Sequence, residues 1–406
     1  MDEVDVPSYF LCPISQEIMR DPVTVSSGIT YDRESIERWI SSSKNTSTCP
    51  VTRQPLSSDT DLIPNHSLRR LIQAWCTLNA SKGIERIPTP KLPVDKAQII
   101  KLLNEGNALQ HQMRCLQSLR SIANENERNR RCLESAGAVE FLATIVANED
   151  SSSSNDEEAL YILYRLQISE AGLKKLIIRR SNGEDFIETL MRVLQHGTYP
   201  SRAYAALLLK SMFEVCDPIY LMALRVEHFA QIVNVLRDQI SKQASKASLQ
   251  IMVEICHWTR NRIKAVEAGA VSVLIEILLE TTTEKRDSEM VLVVLDQLCG
   301  CAEGRAELLG HGAGIAVVSK KILRVSHLAT ERGVRILSSI SRFYPTSFVL
   351  QEMLQVGVVS KLCLVLQVDC SLITKEKAKE MLKLHSRVWK NSSCIPVHLL
   401  SSYPSS

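Results

Sequence analysis

A helix-breaking boundary recurs along most of this chain. Ala136-Gly137-Ala138-Val139, Asn182-Gly183 before Phe186, Ala268-Gly269-Ala270-Val271, His311-Gly312-Ala313 and Val356-Gly357-Val358-Val359 each end one helical stretch and open an apolar one. A weaker copy that lacks the glycine, Val226-Glu227-His228-Phe229, fills the remaining gap, so the intervals run 46, 44, 42, 43 and 45 residues. Apolar runs such as Val273-Leu274-Ile275-Glu276-Ile277-Leu278 and Leu362-Cys363-Leu364-Val365-Leu366 follow the boundaries. Glycine takes φ > 0 without the clash a Cβ brings, which lets the chain reverse between a short helix and a long one. A unit of this length cannot bury its apolar face alone, so successive copies must cover one another. Composition agrees: 45% of residues are apolar but only 5% aromatic, a balance that suits stacked helices better than a β-sandwich.

Residues 1–80 break the period. Leu11-Cys12-Pro13-Ile14 precedes a predicted hairpin, Pro22 to Tyr31, and its echo Cys49-Pro50-Val51-Thr52-Arg53 follows a predicted helix, Arg33 to Ser41. Two loops flanking a hairpin and a helix give the outline of a RING finger. A RING, however, needs a full set of zinc ligands, mostly Cys in close pairs. This segment offers Cys12, Cys49, Cys76 and His66, with no C-x-x-C pair. Polar contacts and a small core must therefore hold it. Asp32 is a candidate cap for the first helix, and Ile36, Trp39 and Ile40 share one face of it. Pro64-Asn65 opens a second helix with Leu68, Leu71, Ile72 and Trp75 on one side. The expected layout is a small RING-like α+β domain over 5–80, a linker over 81–94 marked by Pro88, Pro90 and Pro93, and helical repeats of the armadillo/HEAT class over 95–388. A loosely held tail over 389–406 follows. The array should hold about six repeats, which makes the chain mostly α. Asn148 to Glu158, acidic and rich in Ser, is expected to be an exposed loop.

The residues of the first segment carry a resemblance. Phe10-Leu11-Cys12-Pro13-Ile14-Ser15, Asp21-Pro22-Val23-Thr24-Val25, Gly28-Ile29-Thr30-Tyr31-Asp32-Arg33, Ile36-Glu37-Arg38-Trp39 and Cys49-Pro50-Val51-Thr52 together resemble a U-box, in particular that of the plant U-box/armadillo ubiquitin ligases. The resemblance implies a zinc-free U-box followed by an armadillo-type α-solenoid, and a ligase of the RING type. In such a ligase the U-box docks a ubiquitin-charged conjugating enzyme (E2), and ubiquitin passes directly to a substrate lysine. It implies that Cys12, Pro13, Ile14, Trp39 and Pro50 form the E2 groove, and that Arg53 bridges E2 and its ubiquitin, a task suited to a planar side chain with many donors. Gln16 departs from the family pattern, which often has Leu or an aromatic there, and this bears on E2 preference. The partners implied are E2, ubiquitin and a substrate protein on the repeats, with self-association left open. A cytoplasmic plant protein acting through the proteasome in stress and immune signalling is implied too, the short N-terminal plan being like the subgroup that damps immunity. The alternative reading is an armadillo adaptor with an inactive U-box.

Other readings weigh less. Formal charge is +3, too small to argue for nucleic acid. Twelve scattered cysteines read as reduced thiols of an intracellular protein. No apolar run approaches the roughly 20 residues of a membrane span, and no cofactor or metal motif is present. Cys12 lacks a nearby His that could activate it, which excludes a ligase cysteine here. Glu17, Asp21, Asp32, Arg33 and Glu37 are either a solvated surface or a network standing in for zinc. His257, Trp258, Arg260, Arg262 and Lys264 are groove candidates in the repeats. Neither Trp258 nor Trp389 is followed by the Asn that nuclear-import armadillo proteins carry. Thr89-Pro90, in the linker, fits a proline-directed kinase.

Overall fold

The computed structural model describes residues 6–42, 48–56, 62–85, 95–148, 153–178, 180–181, 184–280, 284–390 and 403. It separates into two compact units, with the change at Asp95 and Lys96.

In the first unit Pro22–Thr24 (β1) pairs antiparallel with Thr30–Asp32 (β2) and, on its other edge, with Ile63–Pro64 (β3). The register sets Val23 opposite Tyr31, and both are buried. Helix α1, Arg33–Ser42, continues directly from β2. Helix α2, His66–Leu78, is capped by Asn65, whose Oδ1 accepts the Leu68 N–H at 3.0 Å. Phe10, Met19, Val23, Val25, Tyr31, Ile36, Leu56 and Ile72 form the core, together with Cys12, Cys49 and Cys76. A core of this size is marginal against chain entropy, so further fastening is required. Asp32, the expected cap, does something else with its Oδ1. It accepts the backbone N–H groups of Arg20 at 2.8 Å and Asp21 at 2.9 Å, tying the first loop to the hairpin. Trp39 sits at the edge of the helix face it shares with Ile36. Ile36 is buried, whereas the indole lies at the rim, 42% exposed, with its Nε1–H donated to the Thr48 carbonyl at 2.9 Å.

The second unit is helical throughout, apart from a two-residue pairing of Arg180–Ser181 with Glu184–Asp185. Long helices at Leu109–Glu125, Ser153–Leu166, Tyr199–Phe213, Lys242–Ile255, Lys285–Leu298, His327–Phe343 and Leu372–Leu384 pack side by side in sequence order. Shorter helices back them. Gly137, Gly269 and Gly357 have φ of 91°, 79° and 75° and each caps the helix that follows, as the repeat pattern requires. Gly312 does not share this conformation. There the requirement is steric and has moved to Gly314, where a Cβ would run into the Leu308 carbonyl. The Asn182-Gly183 boundary lies outside the described residues. At the copy without glycine, the His228 ring starts the helix Val226–Arg237. Its Nδ1 accepts the Arg225 N–H at 3.3 Å, which assigns the proton to Nε2, and Nε2 faces Glu188 Oε2 at 3.1 Å.

Three expectations change. Of the acidic stretch Asn148 to Glu158, residues from Ser153 onward form the first turns of a helix, where Asp156 suits the helix dipole. Arg262 and Lys264 are spent on structure: Arg262 donates to the Cys256 and His257 carbonyls, and Lys264 to those of Met222 and Leu224. Trp389 and Tyr403 both stand in the stretch read as a loose tail, yet both are packed. The Trp389 Nε1–H reaches the Leu350 carbonyl at 3.1 Å, and the Tyr403 hydroxyl reaches that of Leu382 at 2.7 Å. Among the described residues the cysteines from Cys12 to Cys370 form no disulfide. Among the described residues no single helix is long and apolar enough to cross a membrane. Thr89 lies outside the described residues.

Candidate functional site

The two cysteine-led loops fold alike. The Cys12 N–H donates to the Glu17 carbonyl and the Gln16 N–H to the Cys12 carbonyl, both at 2.8 Å. In the second loop the Cys49 N–H donates to the Gln54 carbonyl and the Arg53 N–H to the Cys49 carbonyl, again at 2.8 Å. The fifth residue of each turn is left-handed, with φ of 57° at Gln16 and 59° at Arg53. A bridge closes each base, Leu11 with Ile18 and Thr48 with Pro55. Left-handed backbone costs a residue with a side chain about 1–2 kcal/mol, so the surrounding bonds must impose it.

Each turn is bolted to β2 through its sulfur. Cys12 Sγ accepts the Asp32 N–H at 3.3 Å. Cys49 Sγ accepts from the Ser27 hydroxyl at 3.1 Å and the Thr52 N–H at 3.5 Å, and faces the Tyr31 hydroxyl at 3.0 Å. Tyr31 and Asp32 are neighbours in the strand, so one short element fixes both turns. Burial pushes both thiols up, but the hydrogen bonds outweigh it. Cys12, held by backbone N–H groups of Ser15 and Asp32, lies below the ordinary thiol value, and Cys49 is held down at about 6. The family resemblance places Cys12 among the docking residues, but it is 1% exposed. Its sulfur belongs to the core, so it shapes the turn and offers no surface to a partner.

The tips of the turns do offer surface. Pro13 is exposed, and Ile14 is half-buried, resting one side on the core. Pro50 is half-buried, while Val51 and Arg53 are exposed. Trp39, hydrogen-bonded to Thr48, stands at the base of the second turn. Val51 occupies in the second turn the place of Ile14 in the first. The echo of Cys-Pro-Ile-Ser in Cys-Pro-Val-Thr carried that signal, which the sequence reading did not use for Val51.

A charged cluster fastens the frame behind the turns. Arg33 Nε meets Asp21 Oδ2 at 2.7 Å, and its other end lies 3.8 Å from Glu37. Arg69 of α2 takes the remaining oxygen of Asp21. Side chains of this trio are 15–21% exposed, so the charges depend on one another. Asp21, Arg33 and Glu37 thus belong to a network and Asp32 braces its backbone, whereas Glu17 is an exposed residue of the first turn. Arg69 escaped the sequence reading, since nothing local to its helix marks a partner 48 residues away. Among the described residues no group of three or more His, Cys, Asp or Glu could hold a metal ion.

Comparison with known proteins agrees with this anatomy. A family model described as the U-box domain matches residues 6–81, and one described as the plant U-box protein ARM repeat region matches 97–405. Among curated relatives from Arabidopsis thaliana, E3 ubiquitin-protein ligase PUB23 is 55% identical over 99% of this chain and 98% of its own length. E3 ubiquitin-protein ligase PUB22 is 54% identical over 99% of each, and U-box domain-containing protein 25 is 36% identical over 95% and 92%. With both units matched in order and nearly the full length shared, the chain belongs to the plant U-box proteins that carry an armadillo-repeat region.

Proposed function

We propose that this chain is an E3 ubiquitin ligase of the scaffold type. Its U-box binds an E2 carrying ubiquitin, its repeats bind a substrate protein, and ubiquitin passes directly between them. The observation that carries the reading is the pair of twin turns. They present Pro13 and Ile14 on one tip and Pro50, Val51 and Arg53 on the other, from a frame held by Asp21, Arg33 and Arg69. A small apolar patch with a polar rim is what a partner loop docks on. Arg53 projects multiple donors beside the patch, suited to bridging two protein backbones. Neither turn cysteine is placed to carry ubiquitin, since both sulfurs are enclosed. The ligase therefore contributes position and effective concentration, with no covalent intermediate of its own.

Substrate binding by the repeats, a cytoplasmic setting and a part in stress and immune signalling are included in the proposal and rest on the family resemblance. A reaction of purified E1, E2 and ubiquitin with and without the full chain tests the core of it. Ubiquitin chains or self-ubiquitination should depend on the chain and be lost with Ile14→Ala. A folded chain that binds E2 yet never accelerates transfer would leave the adaptor reading in its place.

A further inference from the structure

Donors converge on one sulfur in the second turn. The Ser27 hydroxyl reaches Cys49 Sγ at 3.1 Å from the hairpin and the Thr52 N–H at 3.5 Å from the turn itself. The Tyr31 hydroxyl, at 3.0 Å, already accepts the Val51 N–H at 3.3 Å, which leaves its own proton for the sulfur. A thiol has one proton to place and accepts weakly, whereas a thiolate takes several donors at once. We infer that Cys49 is a thiolate in the folded domain, and that its charge positions the turn carrying Pro50, Val51 and Arg53. Cys49 is thus a positioning residue for ubiquitin transfer, and it rests on the ligase reading given above.

Further features agree. The Cys49 side chain is enclosed, so the charge is not there to attack a thioester. Burial opposes the anion, yet the bonds from Ser27, Thr52 and Tyr31 hold the thiol at about 6, against 9.0 for a free one. Tyr31, in turn, is pushed above its ordinary value by its own burial and by Cys49 facing it. The titratable groups facing the sulfur are Tyr31 on β2 and, beyond it, Cys12; Ser27 and Thr52 are neutral donors. Ionisation releases one proton to solvent and changes no other covalent bond. Protonation below about 6 makes the sulfur a poor acceptor. The bonds to Thr52 and, through Tyr31, to Val51 then weaken. Arg53 loses part of the support for its left-handed backbone at φ 59°.

The test uses the full-length chain, Cys49→Ser and Ser27→Ala. Thiolate ultraviolet absorbance is titrated, and the difference between parent and Cys49→Ser isolates this sulfur. In parallel, discharge of ubiquitin from E2 to free lysine is measured across pH as stimulation over E2 alone, which cancels the pH response of E2 itself. The difference titration should have its midpoint near 6. Stimulation should fall with the same midpoint, to about one tenth of its plateau one pH unit below it, because each unit is a tenfold change in the ionised ratio. Ser27→Ala removes one donor from a half-buried position and should move both midpoints upward together. A midpoint in the ordinary thiol range, or midpoints that move independently, overturns the inference. Absence of stimulation at every pH removes the ligase reading and the positioning role with it, and the absorbance midpoint then decides the charge alone.

Discussion

Ile14 faces two ways, and that sets what its removal should do. One side packs on the core and the other is open on the tip of the first turn. Truncating a central apolar anchor in a small interface costs about 2 kcal/mol or more, roughly a thirtyfold loss in affinity. Ile14→Ala should therefore nearly abolish ubiquitin transfer and E2 binding by NMR titration, with a smaller loss of thermal stability. Arg53→Ala should separate from it, keeping E2 affinity while slowing ubiquitin discharge to free lysine. At Asp21 the outcome is structural. Two arginines lean on one carboxylate, and removing a partner from a mostly buried set typically costs about 3–5 kcal/mol, as much as a small domain has. Asp21→Asn should lower the melting temperature of the U-box sharply, read by circular dichroism. The Cys49 sulfur adds a pH dependence whose sign is fixed. Its folded value of about 6 lies below the free value of 9.0, so the unfolded chain binds more protons between the two. This contribution is complete above about 9 and is lost as pH falls through about 6. The U-box melting temperature should rise with pH across that window more in the parent than in Cys49→Ser.

Among the elements, the repeat boundaries show where local sequence speaks and where packing overrides it. Gly269 and Gly312 look equivalent in sequence. Only Gly269 is left-handed, at φ 79°, and a Cβ at Gly312 would meet nothing within 4 Å. Gly269→Ala should cost about 1–2 kcal/mol, whereas Gly312→Ala should be neutral or stabilise by about 0.4–1 kcal/mol. Equal melting temperatures for the two variants would contradict this account. The same contrast explains what could be read in advance. The hairpin, both U-box helices and the repeat period were legible because each is written in local spacing and turn residues. The twin turns were half legible, as an echo of Cys-Pro. The fastening was not: Arg69 with Asp21 and Ser27 with Cys49 join residues far apart in the chain, and charge or hydroxyl alone does not name a partner. The depth of Trp39 was not legible either, since helical periodicity cannot tell the rim of a face from its centre.

Taken as a whole, each unit bears a different kind of risk. In the repeats, successive long helices pack on one another, and apolar side chains such as Leu292 and Leu295 are fully enclosed. Leu292→Ala should cost about 2–5 kcal/mol, felt within its own repeat and the adjoining ones, because stability in such arrays is a sum of neighbour terms. Hydrogen exchange should show the loss of protection spreading from Lys285–Leu298 outward and leaving the U-box amides unchanged.

The closed hydrogen-bond circuits of the two turns have a consequence for supply. A zinc-built finger must wait for an ion before it holds its shape, and it competes for that ion with every other finger in the cell. Here Cys12 and Cys49 close their loops against Glu17, Gln54 and β2, with material the chain brings along. Adding a chelator should therefore leave the closure of these two turns, and the melting temperature of the U-box, unchanged.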